Sequence, residues 1–200
     1  ATAIVSALEE ARYRAVLLAD IAGHQARHAR RAAAEQSLKR AEAAVSAIPT
    51  DQKFAVNHAR ERVTSGWLAL DNFNQAERVA TTITDAAIRV GTLWSIAGAM
   101  RLAAQTEGAA RIDGLALSSM AEVKSALDRV WLFARQVQML ADQKADDQAA
   151  LVFQKALDVV RGIRHSWTRA QALARLVGAF SGLRGPSPGV HSDPRKSIKN

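Results

Sequence analysis

Residues 88–100 read IRVGTLWSIAGAM, residues 168–180 read TRAQALARLVGAF, and residues 13–25 read YRAVLLADIAGHQ. When the three are superposed, Arg14, Arg89 and Arg169 coincide. Leu18, Leu93 and Leu173 follow four residues later, then Ile21, Ile96 and Leu176, then Ala22, Ala97 and Val177, then Gly23, Gly98 and Gly178. Apolar residues four, seven and eight positions past the arginine share one face of a helix. Leu8, Ile83 and Ile163 coincide as well, each six residues before the arginine. Agreement across a loop and a helix marks an internal repeat.

Two weaker copies fill the gaps. Gly66 sits in TSGWLALDNFNQA, where Leu70 and Ala76 match Leu102 and Ala109. Leu127, Val137, Leu140 and Ala141 match the apolar skeleton of a further copy, with Asp142 at the place of the glycine. Second helices are expected at about 30–48, 75–83, 109–127 and 146–163. Turns fall at LDNFN, AQTEG and QKADDQ, whose Asn, Asp and Gly residues favour turns and helix caps. Pro49 ends the helix before it. Mid-helix glycine costs about 1 kcal/mol relative to alanine, so its recurrence predicts a neighbouring helix close by. A lone helix pair cannot bury its apolar face, but stacked pairs bury one another's. The expected class is all-α: an αα-hairpin solenoid of about five irregular repeats.

Composition agrees. Hydrophobic residues, mostly alanine, make up 48% of the 200 residues, charged residues 23% and aromatics 5%. Alanine is the best helix former. Three of the four prolines lie after residue 185, and no stretch alternates as a strand does. The absence of cysteine removes disulfides, thiolate metal sites and cysteine nucleophiles. No apolar run reaches the roughly 18–20 residues of a membrane span. The chain starts Ala-Thr-Ala, as after removal of a signal peptide or trimming of a longer chain. A periplasmic or secreted bacterial location and a cytoplasmic one both stay open. The net charge is +8, of which the residues from Val160 onward, with eight Arg or Lys and one Asp, carry +7. An electrostatic partner is therefore expected to be acidic.

Trp94-Ser-Ile-Ala97-Gly98, with Ala110 in the next helix, and LALDNFNQAERVA at 68–80 resemble the tetratricopeptide-like repeat superfamily. The resemblance spans residues 1–182 and implies a right-handed solenoid whose first helices line a ligand-binding groove. Residues 183–200, rich in Pro, Gly, Ser, Lys and Arg, are expected to form a flexible basic tail outside the core.

Four sets of residues are weighed as sites. His24 and His28 are one helical turn apart, a metal-ligand spacing, but Arg27, Arg30 and Arg31 beside them repel a cation, and no metal is expected. The recurring Arg14, Arg89 and Arg169 either form a ligand ladder or bond the last carbonyls of the preceding helix; their place at a helix start favours the second. Trp67, Trp94, Trp131 and Trp167 fall at different places in their units, which favours core or seam positions over a stacking ladder for bases. The groove that the resemblance implies is written relative to the recurring glycine, at positions three before, one after and four after. Its partner-binding residues are then Asp20, His24, Arg27, Trp67, Ser95, Met139, Gln143 and Arg175. Trp67 is the aromatic expected to be exposed there.

No phosphate loop, Ser-His-Asp set or paired carboxylates share a helix face, so no enzyme activity and no cofactor are expected. The expected function is a noncatalytic protein–protein interaction scaffold that holds an acidic partner segment in the groove. The alternative is nucleic-acid or other polyanion binding through the basic C-terminal third.

Overall fold

The computed structural model describes residues 10–180. Leu8 and the tail at 183–200 lie outside them. Among the described residues there are nine helices and no strand: α1 (Ala11–Arg27), α2 (Arg31–Ser46), α3 (Lys53–Leu68), α4 (Phe73–Ala80), α5 (Ala86–Leu102), α6 (Thr106–Met120), α7 (Ala126–Asp142), α8 (Asp146–Arg161) and α9 (Ser166–Phe180). The all-α class and the expected second helices are therefore present. α1 pairs with α2, α3 with α4, α5 with α6 and α7 with α8. Each odd helix also packs on the next odd helix, from α1 to α9.

The turn inside each hairpin is the same one, made four times. The backbone N–H groups of Arg30, Asn72, Gln105 and Ala145 donate to the carbonyls of Gln25, Trp67, Met100 and Leu140 at 2.8–3.0 Å. The residue before each donor is left-handed: Ala29, Asp71, Ala104 and Lys144, with φ between 53° and 58°. This is the Schellman closure, which satisfies carbonyls at a helix C-terminus. None of the four is glycine, so the turn has no glycine signature in the sequence.

The loop from one hairpin to the next repeats too. Ile48, Ile83, Val123 and Ile163 are buried in it, and their N–H groups donate to Val45, Ala80, Met120 and Val160 at 3.0–3.1 Å. Asp85 and Ser125 then cap α5 and α7 by accepting from the N–H groups of Ile88 and Asp128. Arg89 Nη1 donates to the Ile83 carbonyl at 2.8 Å, and Arg169 Nη1 donates to that of Ile163 at 3.4 Å. In these two copies the recurring arginine ties a helix start to the carbonyl of the loop before it, whereas Arg129 Nε is buried without a hydrogen-bond partner among the described residues. Arg89, Arg129 and Arg169 recur every 40 residues and set the register of the last three units.

A continuous core runs along the helices, and its small residues set the spacing. Ala15, Ala22, Ala41, Ala59, Ala97 and Ala116 are buried, which lets helix axes approach closely around Leu18, Leu38, Leu93 and Ile112. Two of the four repeat glycines are at close approaches. A Cβ at Gly66 would collide with Leu38 Cδ2, and one at Gly98 would lie 2.9 Å from Gln143 Nε2. The expectation fails for Gly23, where a Cβ meets only Arg27 of its own helix, and for Gly178, where it meets nothing within 4 Å. The tryptophans divide in the same way. Trp67 and Trp94 are buried, but Trp131 and Trp167 are 50% and 67% exposed, so the core assignment is corrected for the last two.

Candidate functional face of the odd helices

The shared turn defines equivalent positions without reference to glycine. Counting back five residues from Gln25, Trp67, Met100 and Leu140 gives Asp20, Arg62, Ser95 and Arg135. On α9, counting forward six residues from Arg169, the equivalent of Arg89, gives Arg175. These five residues form one line across the odd helices. The line passes through two clefts of about 370 Å3 each, one between α1 and α3 and one between α7 and α9.

The two clefts differ in charge. In the first, Asp20 Oδ1 accepts from Arg62 Nε at 3.1 Å and also pairs with Arg62 Nη2, so the charges cancel. Arg27 lines the same cleft. In the second, Arg135 and Arg175 face one space with Gln138 and Gly178. Both arginines are exposed, and neither has an ion-pair partner among the described residues. Two guanidinium groups sharing a cleft make a site for a carboxylate or phosphate.

The sequence-based site residues are placed as follows. Asp20, His24, Arg27 and Arg175 are exposed on odd helices, and the His24 and His28 rings lie 4.4 Å apart at a 59° tilt. Among the described residues no group of three His, Asp or Glu is gathered as a metal site. Ser95 is half-buried, and its hydroxyl donates to the Gly91 carbonyl at 3.0 Å. Met139 and Gln143 come together over Gly98, filling the space its missing side chain leaves. Both are half-buried in the seam between α5 and α7.

Trp67 is a correction. It is buried, and its indole Nε1 donates to Glu42 Oε1 at 2.7 Å. The cause is a register shift: Gly98 corresponds to Ser65, so Gly66 is one residue out of step and the residue after it turns inward. The same shift hid Arg62. On α7 the glycine's equivalent is Gln138 rather than Asp142, which hid Arg135 and placed Met139 and Gln143 on the groove line in its stead. Exposed Trp131, at the position equivalent to Gly91, was also missed. The 40-residue spacing of Arg89, Arg129 and Arg169 carried the signal for both Arg135 and Trp131.

No family model matches the chain, and no similar curated protein or solved structure was found. No helix among the described residues is long and apolar enough to cross a membrane.

Proposed function

We propose that the chain is a right-handed, tetratricopeptide-like solenoid that acts as a noncatalytic interaction scaffold, holding an acidic partner segment across its odd helices. The observation that carries this is the line Asp20, Arg62, Ser95, Arg135 and Arg175, which ends in two unpaired arginines in one cleft. Supporting the solenoid is the order of packing, in which each hairpin meets the next through its odd helix. Exposed Leu102 and Trp131 on the odd helices add apolar surface beside the charges, which suits a peptide better than a polyanion.

Two probes test this on the whole chain: a peptide alternating Glu and Leu, and a single-stranded oligonucleotide of equal length. The peptide is expected to bind, and the Arg135→Glu, Arg175→Glu double variant to weaken it by about tenfold or more with an unchanged circular dichroism spectrum. Tighter binding of the oligonucleotide, lost steeply as salt rises, would transfer the function to polyanion binding. Peptide affinity unchanged in the double variant would remove the cleft from the function.

A further inference from the structure

The repeat is interrupted at three places, and all three meet in one cavity. Gln136 stands where the other odd helices carry Ile21, Val63, Ile96 and Leu176, yet it is only 2% exposed. Arg101 stands where Ala26, Leu68 and Ala141 stand, and Asp113 where Leu38, Ala80 and Phe153 stand. Gln136, Arg101 and Asp113 line a cleft of about 270 Å3 between α6 and α8, floored by α5 and α7. Arg101 Nη2 pairs with Asp113 Oδ2. Arg101 Nη1, Asp113 Oδ1 and Gln136 Oε1 are buried without a hydrogen-bond partner. Buried polar groups left in this state are costly, and three in one cavity point to a missing partner.

The cleft is open because the seam changes character there. Between α4 and α6 the Glu77 carboxylate accepts from both terminal nitrogens of Arg111 at 2.5 and 2.6 Å. The equivalent positions between α6 and α8 are Ala110 and Leu151, which form no such clasp and both line the cleft. Leu151 is 67% exposed there. Trp94, Leu140 and Val152 supply apolar wall, so the site has the usual form of a small-molecule pocket, apolar with a few convergent polar atoms.

We propose that this cleft binds a neutral ligand carrying a primary carboxamide on a small apolar body. The amide NH2 supplies two donors for the two orphan acceptors, Asp113 Oδ1 and Gln136 Oε1. Its carbonyl accepts from Arg101 Nη1. The count of donors and acceptors selects against ions: a carboxylate has no N–H to offer Asp113 Oδ1 and Gln136 Oε1, and an amidinium has no acceptor for Arg101 Nη1 and adds a cation beside Lys155. Burial also pushes the Asp113 carboxyl above its ordinary range, against the opposing pull of Arg101 and Lys155. The site is separate from the odd-helix face and does not depend on the function proposed for it.

Benzamide, benzoate and benzamidine share one ring and differ in charge, and they serve as probes of the full 15N-labelled chain by NMR. Benzamide is expected to shift the Trp94 indole and Gln136 carboxamide signals with a Kd on the order of millimolar, as suits so small a molecule. Benzoate and benzamidine are expected to bind at least about tenfold more weakly. Gln136→Leu restores the apolar residue of the repeat. It should abolish the benzamide shifts at Trp94 and melt no lower than wild type, since it removes an unsatisfied buried amide. Wild-type signals unmoved by about 20 mM benzamide would leave the cleft a hydrated void and overturn the proposal. Equal binding of either charged analogue, or benzamide shifts retained in a folded Gln136→Leu chain, would overturn it as well.

Discussion

Trp67 Nε1 donates to Glu42 Oε1 at 2.7 Å, while the other oxygen of the same carboxylate accepts from Arg78 Nη2 at 2.6 Å. One side chain of α2 thus holds both helices of the following hairpin. Trp67→Ala is expected to destabilise the chain by about 3–5 kcal/mol, the range for emptying a buried aromatic site. Trp67→Phe keeps most of the buried area and loses the hydrogen bond, for about 1 kcal/mol. Urea melts of both variants check this. A Trp67→Ala chain as stable as wild type would return Trp67 to the surface where its sequence neighbours first placed it.

Gly66 and Gly114 are expected to respond to alanine with opposite signs. A Cβ at Gly66 collides with Leu38, which is fully buried and has little room to retreat. Gly66→Ala should therefore cost about 1–3 kcal/mol from overpacking, more than the helix propensity it gains. At Gly114, inside α6, a Cβ meets nothing within 4 Å. Only propensity acts there, and Gly114→Ala should stabilise by up to about 1 kcal/mol. Thermal melts of the two single variants side by side decide it.

Gly66 and Gly98 show why the hairpins were legible in the sequence while part of the face was not. The apolar periodicity reports burial directly, so the helices could be read; Arg89 and Arg169 do bond backbone carbonyls, but those of Ile83 and Ile163 in the loop and not the last carbonyls of the helix before it. Register needs a fixed mark, and glycine was a poor one. Gly66 is demanded by Leu38 of an adjacent helix, and that contact has no counterpart at Gly98, where flexible Met139 and Gln143 fill the space. The true mark, the left-handed turn, is occupied by Ala29, Asp71, Ala104 and Lys144, of which only Asp71 is a type that favours that conformation. Arg62, Arg135 and Trp131 were lost for that reason. Gln136 breaks the apolar line only once the register is drawn from the turn, and its convergence with Arg101 and Asp113 depends on packing between hairpins.

The Glu77–Arg111 clasp should make stability depend on pH. The bidentate contact with Arg111 holds the Glu77 carboxyl below its ordinary range. A carboxyl depressed in the folded state adds stability that is fully present above its unfolded value of about 4.3 and is lost as pH falls through the folded value. Arg111 is more than half exposed, so solvent screens the pair and the contribution is of the order of 1 kcal/mol or less. Glu77→Gln should be less stable than wild type at pH 7, and the difference should shrink as the solution is acidified below about pH 4. Urea melts at both pH values measure it. A gap that persists undiminished in acid would mean that packing rather than charge holds α4 to α6.

The repeated turn gives the last test. Ala104 has φ 58°, and an L-residue in that region costs about 1–2 kcal/mol relative to glycine. Glycine gives back about 0.4–1 kcal/mol through the greater freedom of the unfolded chain. The first term is the larger, so Ala104→Gly should stabilise by about 0.5 kcal/mol or somewhat more. Its neighbour Ala103, at φ −85°, has no strain to relieve, and Ala103→Gly should only lose stability, by about 0.5–1 kcal/mol. Opposite signs at adjacent alanines are not explained by composition or by general loop softening. Both residues are exposed, so packing changes do not confuse the comparison. If calorimetry shows both variants destabilised alike, Ala104 is not left-handed in solution, and the register drawn through the four turns, with Arg62 and Arg135 on one line, falls with it.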